Sequence, residues 1–267
     1  MEVYMFAWIG GKNRLAKWII SNFPLNYTKM TYVEVFGGAG WVLFKKEPSL
    51  VEIYNDNDEL LVNLFVVLRD HFQEFRRRAY RTLHSRRLFQ MTLQQIREGY
   101  FKDNIDKAVC YAIVIVQSFS GTQNSWGYYI SANTRKSSST RWLPFLRRLN
   151  QIRYRLSTVQ IECLDFRKVI SKYDTPNTLF YLDPPYVGKE HYYRTGFTKK
   201  DHIELAEILK TIKGKFVLSY YPCELVEELY RDFNWQTKEV SKPSYGITEF
   251  SRMRSRPRGT ELLIKNF

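Results

Sequence analysis

The sequence predicts an α/β fold with a mostly parallel sheet, a helical insert and a C-terminal antiparallel strand pair. Short apolar segments that end in turns and lead into helices predict the parallel strands, at Thr31–Phe36, Val51–Tyr54, Val159–Cys163, Leu179–Leu182 and Lys215–Ser219. Trp235–Val240 and Glu261–Lys265 are the predicted antiparallel pair. After the second strand the pattern changes to amphipathic helices. We therefore expect a sheet domain from residues 1–70 and 155–267, with 71–154 as the insert.

Length and composition are compatible with one large α/β domain that carries a smaller insert. The chain has 267 residues, 44% of them hydrophobic, and no apolar run approaches the ~18 residues of a membrane span. Met1–Gly10 shows no secretory signal, and Cys110, Cys163 and Cys223 show no metal-type spacing. We expect a cytoplasmic protein with reduced thiols, no membrane partner and no metal.

Positive charge is concentrated in the insert. The formal net charge is +14, and residues 71–158 contain 16 Lys and Arg against 4 Asp and Glu, a net charge of +12. Such a surface favours a polyanionic partner, because cations contact phosphates while amides and aromatic rings contact bases. The candidate contacts are Arg86, Arg87, Asn124, Trp126, Arg135 and Lys136, joined by Tyr192 and Arg194 from a later loop. For any single one of them, a solvated surface position is the alternative.

A glycine turn, Gly37–Gly40, follows the first predicted strand. Together with the helical segment Trp41–Phe44 it forms the first half of a nucleotide-type βα unit, in which missing side chains let a ligand approach the backbone. A dinucleotide fingerprint needs a small residue where Leu43 stands, which disfavours a nicotinamide oxidoreductase. Asp56, after the second strand, could accept from ribose hydroxyls, with an ordinary turn position as the alternative, whereas Asp58 is typical of a helix N-cap.

Two further motifs are weaker when taken alone. Trp8-Ile9-Gly10-Gly11-Lys12 precedes a predicted helix at Asn13–Phe23, and its free backbone N–H groups and lysine would suit a carboxylate. Asp165 and Phe166 follow the third strand and offer an acceptor for an adenine amine and a ring for its face. An ordinary turn before a helix, and an N-cap followed by a core phenylalanine, are the respective alternatives.

The strand Leu179–Leu182 runs directly into Asp183-Pro184-Pro185-Tyr186. This predicts a buried strand that carries Asp183 to the edge where open α/β sheets bind ligands. The two prolines fix φ and keep their carbonyls, so the turn is stiff and rich in acceptors. Asp183 and the Pro184 carbonyl could hold both hydrogens of a nucleobase amine while Tyr186 stacks on the base. A Pro-Pro turn with an incidental aspartate is the alternative.

In their order along the chain, these motifs resemble the Dam-like N6-adenine DNA methyltransferases of the Asp-Pro-Pro-Tyr type, which use S-adenosylmethionine. The resemblance implies a Rossmann-like methyltransferase sheet with a helical DNA-recognition insert. It implies cofactor contacts from Trp8, Gly10, Lys12, Phe36, Gly38, Gly40, Asp56, Asp165, Phe166 and Asp183. Lys12 would lie near the cofactor carboxylate. Asp183, Pro184, Pro185 and Tyr186 would be catalytic, with Asp183 between cofactor and target base.

The resemblance implies site-specific methyl transfer to N6 of an adenine flipped out of double-stranded DNA. A cognate restriction endonuclease, as in restriction-modification systems, is a candidate partner. Cytosine-N4 or RNA methylation on the same fold, and a non-catalytic DNA-binding specificity component, stay open as alternatives. Ser118–Gly127 lacks the Asn-Arg and Phe-Asn pairs usual in GATC-methylating members, so the insert is compatible with a different or relaxed site.

Overall fold

The computed structural model describes residues 6–128, 141–193, 196–241 and 258–267. These residues form a sheet of seven strands: β1 (Thr31–Glu34), β2 (Val51–Asn55), β3 (Val159–Glu162), β4 (Thr178–Leu182), β5 (Lys215–Tyr220), β6 (Asn234–Ser241) and β7 (Arg258–Lys265). Their order is β3-β2-β1-β4-β5-β7-β6. The first five in that order are parallel, whereas β7 is antiparallel to β5 and β6. The predicted mostly parallel sheet with a C-terminal antiparallel pair is confirmed.

Ten α-helices accompany the sheet within the described ranges: α1 (Ala16–Ser21), α2 (Trp41–Lys45), α3 (Glu59–Asp70), α4 (Phe72–Tyr80), α5 (Arg86–Glu98), α6 (Asn104–Gln117), α7 (Trp142–Leu156), α8 (Phe166–Tyr173), α9 (Lys199–Thr211) and α10 (Glu224–Tyr230). The Asp58 side chain caps α3 by accepting from the N–H groups of Leu60 and Leu61. Thr198 and Asp201 form a capping box at the start of α9. The Asp58 cap confirms the prediction from the sequence.

The parallel strands end together at one edge of the sheet. All five residues of β4 are buried, as expected for a central parallel strand. Glu34, the last residue of β1, lies level with residues near the ends of β2 and β4. The turns after these three strands therefore leave the sheet side by side. They carry the glycine turn, Asp56 and Asp183.

Apolar side chains cover both faces of the sheet. One cluster joins α1–α3 to the insert helices α4–α7, and the other joins α8, α9 and α10. Core residues of the insert, among them Phe75, Phe89 and Tyr111, share the first cluster with strand residues. The division between 71–154 and the rest of the chain stays a prediction. In the part of the chain that the structure describes, no helix is long and apolar enough to cross a membrane.

A buried charged cluster anchors α7 to the sheet. Glu52 of β2 accepts from Lys46 Nζ and from Arg155 Nη1 and Nη2, the latter two at 2.5 and 2.7 Å. Arg155 Nη2 also donates to the Leu43 carbonyl at 2.9 Å. Burial alone would raise the pKa of Glu52, but Arg155 and Lys46 bring that pKa below its ordinary value. Removing one partner would leave a buried charge uncompensated, so the cluster holds the insert's last helix in place.

Candidate active site

A cavity of about 480 Å³ opens at the carboxyl edge of the parallel strands. Its volume lies within the ~300–1,000 Å³ of typical ligand sites. The predicted site residues that line it are Trp8, Lys12, Phe36, Gly38, Asp56, Asn124, Asp165, Phe166, Asp183, Pro185 and Tyr192. Four other predicted site residues are next to a lining residue in the sequence but are not among the lining residues themselves: Gly10, Gly40, Pro184 and Tyr186. One cavity thus gathers segments that are far apart in the sequence.

Lys12 and Asp183 form an ion pair in this cavity. Lys12 Nζ lies 2.7 Å from Asp183 Oδ1 and 3.7 Å from Glu261 Oε1, and it donates to the Gly10 carbonyl at 2.9 Å. The Tyr186 ring lies below Nζ, with its centroid 4.8 Å away. The Tyr186 hydroxyl donates to Glu261 Oε1 at 2.5 Å. Tyr186 is therefore fixed beside the Lys12–Asp183 pair by two independent contacts.

The pKa values of this cluster follow from burial and from the excess of carboxylates over cations. Burial raises the pKa of Asp183, and the charge and hydrogen bond of Lys12 oppose that rise. Burial also raises the pKa of Glu261, again against Lys12. For Lys12 burial acts in the lowering direction, but the two carboxylates outweigh it and the net pKa is raised. Lys12 is thus held as a cation, which keeps Asp183 available as a hydrogen-bond acceptor.

The glycine turn and Asp56 form a second acceptor site in the cavity. Gly38 has φ +49°, and a Cβ there would lie 2.8 Å from Trp8 Nε1. The Gly38 N–H donates to Asp56 Oδ2 at 2.7 Å, and the Asp58 N–H donates to Oδ1 at 2.9 Å. Each carboxylate oxygen can accept one further hydrogen bond. Burial raises the pKa of Asp56 to about 6 despite these backbone contacts.

Three phenylalanines form an aromatic wall at another part of the cavity. The ring centroids of Phe36, Phe166 and Phe197 lie 5.7–5.8 Å apart, and all three side chains line the cavity. Asp165 stands beside them and caps α8, because its Oδ1 accepts from the Arg167 N–H at 2.9 Å. Asp165 is therefore the N-cap of α8, as the alternative interpretation predicted, and it also lines the cavity.

Glu34 and Phe197 are among the cavity-lining residues that the sequence reasoning did not assign to the site. Glu34 is 2% exposed and accepts from the Tyr32 hydroxyl at 2.7 Å and the Leu43 N–H at 2.8 Å. Burial raises the pKa of Glu34 to about 8, so its neutral form is favoured at neutral pH. An acidic residue inside an otherwise apolar strand was the available signal.

The loop after Pro185 is anchored beside the cavity through a buried histidine. His202 Nε2 lies 3.0 Å from Glu190 Oε1, and its Nδ1 lies 2.6 Å from the Tyr220 hydroxyl. Burial lowers the pKa of His202, although Glu190 opposes this. The loop brings Tyr192 and Tyr193 to the cavity lining. Arg194, predicted in the same loop, lies outside the described residues.

The predicted DNA-contacting residues of the insert fall into separate places. Arg86 lies over the rings of Trp126 and Tyr128, with its Cζ 4.8 and 4.6 Å from the two centroids. Trp126 is also stacked on His84, at 4.8 Å between centroids. Arg87 is exposed on α5. Among the remaining candidates, Asn124 lines the cavity, while the predictions for Arg135 and Lys136 lie outside the described residues.

No group of three or more His, Cys, Asp and Glu side chains suited to a metal ion occurs within the described ranges.

The sequence profile of the family described as "D12 class N6 adenine-specific DNA methyltransferase" matches residues 8–242. The type II methyltransferase M1.LlaDCHI of Lactococcus lactis subsp. cremoris is 25% identical over 284 residues, which cover 97% of this chain and 94% of that relative. The profile spans the glycine turn, the insert and the Asp183 turn. This chain belongs to the D12 class of N6 adenine-specific DNA methyltransferases, and its activity is adenine methylation in DNA.

Proposed function

We propose that this DNA adenine methyltransferase takes its methyl group from S-adenosylmethionine and acts on an adenine flipped out of a double helix at a specific site. The observation that carries the proposal is the single cavity that contains both the Asp56 acceptor site and Asp183. A donor nucleoside and a target base that bind in one cavity can bring their reacting atoms into contact. This arrangement favours direct transfer without a covalent enzyme intermediate.

The residues present suit the donor. At Gly38 a side chain would collide with Trp8, so glycine at this position lets the Trp8 ring pack against the turn at the cavity lining. The Asp56 carboxylate retains acceptor capacity for two vicinal ribose hydroxyls. Asp165 and Phe166 would receive the adenine amine and ring face. Lys12 would approach the donor carboxylate, although its hydrogen bonds in this structure go to the protein.

Asp183 and the Pro184 carbonyl would accept the two hydrogens of the target N6 amine. Conjugation with the ring makes this nitrogen a poor nucleophile, and two such hydrogen bonds favour a pyramidal nitrogen with an available lone pair. The donor supplies a sulfonium-bound methyl group. The methyl–sulfur bond would break as N6 takes the methyl group, its electron pair would stay on sulfur, and the proton that N6 then releases would pass to solvent. Asp183 thus orients the amine and counteracts the low nucleophilicity of the conjugated N6.

The basic insert supports the proposal that residues 71–154 bind the duplex. Of the net charge of +14, +12 lies between residues 71 and 158. Arg86, held against Trp126 and Tyr128, could contact phosphate or stack on an exposed base.

The name of the relative, a type II methyltransferase, supports a restriction endonuclease as partner. DNA as substrate and the bacterial relative support the cytoplasm of a bacterium as the place of action.

Identification of the methylated nucleoside tests this proposal. The protein is incubated with methyl-labelled S-adenosylmethionine and unmethylated bacterial DNA, and the product is digested to nucleosides and separated. We expect the label in N6-methyldeoxyadenosine, and no uptake when the DNA has been methylated to completion beforehand. Label in N4-methyldeoxycytidine, or in an RNA offered instead of DNA, would contradict the assigned target. Absence of transfer together with absence of donor binding would contradict the donor.

A further inference from the structure

Arg167, at the start of α8, contacts three carboxylates. Its Nη1 donates to Asp165 Oδ2 at 2.9 Å, and its Nη2 donates to Asp201 Oδ1 at 2.5 Å. Its Nε donates to Glu204 Oε2 at 2.6 Å, and Nη2 also contacts that oxygen. The guanidinium group therefore joins α8 to α9 through hydrogen bonds from Nε, Nη1 and Nη2. Its acidic partners raise the pKa of Arg167 against the effect of burial.

Two residues of the predicted donor-purine site are held by this one side chain. Arg167 donates to the Asp165 carboxylate through both its backbone N–H and its Nη1, so neither oxygen of Asp165 can turn away freely. The Arg167 Cζ also lies 4.3 Å from the centroid of the Phe166 ring. Phe166 is thus packed against the guanidinium in addition to its contacts with Phe36 and Phe197.

The same contacts also connect α8 to cavity-lining residues at the start of α9. Asp201 lines the cavity and closes the capping box of α9 with Thr198. Phe197, which immediately precedes that box, belongs to the aromatic wall. Because Arg167 donates to Asp201 and Glu204, it connects the first turns of α9 to the segment that carries Asp165 and Phe166.

We infer that Arg167 is a positioning residue for the purine of the methyl donor: it orients Asp165 as acceptor for the purine 6-amino group and holds Phe166 against the ring. The inference rests on the proposed function, since it assumes an adenine-containing donor. It assigns no chemical step to Arg167. A purely structural role in joining α8 to α9 would affect folding but would not discriminate between donors that differ only at the 6-amino group.

The test compares S-adenosylmethionine with an analogue that carries hydrogen in place of the 6-amino group. Binding of both donors is measured by calorimetry for the wild type, Arg167→Ala, Arg167→Lys and Lys172→Ala. Lys172 is the matched control, because it is another α8 cation in an exposed ion pair, with Glu162 at 2.6 Å. Steady-state KM and kcat for S-adenosylmethionine are measured on the same four proteins with unmethylated DNA.

We expect the wild type to prefer S-adenosylmethionine by roughly tenfold, as for one hydrogen bond to a charged acceptor. Arg167→Ala should lose most of that preference and raise KM more than it lowers kcat, Arg167→Lys should recover part of it, and Lys172→Ala should keep it. If Arg167→Ala does not fold, Glu204→Gln loosens the same guanidinium and takes its place. A preference that stays at the wild-type level in Arg167→Ala, or in Glu204→Gln where that variant takes its place, would overturn the inference. A wild type that binds neither donor would overturn the proposed donor as well.

Discussion

Lys12 Nζ lies 2.7 Å from Asp183 Oδ1, so the carboxylate proposed to receive the target amine already has a cationic partner in this structure. Lys12 is buried and the Asp183 side chain is 19% exposed, and buried Glu261 beside them adds a second negative charge. A target amine that binds Asp183 must share or replace the contact with Lys12. The Lys12 charge therefore determines the pH range in which Asp183 acts as an acceptor.

Replacing Lys12 by Met is expected to shift the pH dependence of methylation. Without the cation, burial would raise the pKa of Asp183 further, because Lys12 now opposes that rise. The acid limb of the single-turnover rate should move to higher pH by about one unit or more at saturating donor and DNA. Lys12→Arg, which keeps the charge, should move it less. An acid limb that stays in place in Lys12→Met would show that Asp183 does not titrate as described.

Donor affinity is expected to depend on the ionisation of Asp56, whose pKa is raised to about 6 by burial. Two ribose hydroxyls need the carboxylate form, so the dissociation constant of S-adenosylmethionine should rise as the pH falls below 6, by up to about tenfold per unit. Asp56→Asn should bind weakly at all pH values. Asp174→Asn is the matched control, since Asp174 also accepts from backbone N–H groups but does so at Lys213 and Gly214. Equal pH dependence in wild type and Asp56→Asn would contradict this role.

Glu34 is expected to make the protein less stable as the pH rises. Its folded-state pKa of about 8 lies above the ordinary value of 4.5, so between these values the folded state binds a proton that the unfolded state has released. The free energy of unfolding should therefore fall by about 1.4 kcal/mol per pH unit across this window. Glu34→Gln keeps an acceptor for Tyr32 and should flatten the slope. The measurement is urea denaturation at pH 5, 6.5 and 8.

The control for this measurement is Glu162→Gln. Hydrogen bonds from Lys172 and Tyr173 lower the pKa of Glu162, so its effect on stability falls below pH 4.5, outside the window tested. Glu162→Gln should thus retain the wild-type slope between pH 5 and 8. If Glu34→Gln retains the wild-type slope as well, Glu34 is ionised in the folded protein and the assignment of its pKa is wrong.

Much of the fold could be predicted because its signals are local. The strand that carries Asp183 is a short apolar segment limited by two prolines, and the caps of α3 and α9 depend on residues within one turn. The predicted helix at 13–23 is shorter in the structure: Leu15 and Ala16 donate their N–H groups to the Lys12 carbonyl, and α1 begins only at Ala16. A turn in which two N–H groups donate to the same carbonyl leaves no periodic pattern in the sequence.

The features of the site that could not be predicted from the sequence depend on contacts between distant segments. Nothing in the local sequence pairs Lys12 with Asp183, or Arg167 with Asp201 and Glu204, because these contacts arise only when the strands are ordered and α8 packs against α9. Glu34 could have been noticed as an acid in an apolar strand, but its neutral state follows from burial, which periodicity does not measure.

The single-turnover rate of methyl transfer by Asp183→Ala, at saturating S-adenosylmethionine and DNA, tests the central claim most directly. The account predicts a loss of at least about 10³-fold, since the amine loses its charged acceptor, while the affinity for DNA remains within a few-fold of wild type. Turnover close to the wild-type rate in this variant would contradict the role of Asp183 and with it the proposed mechanism.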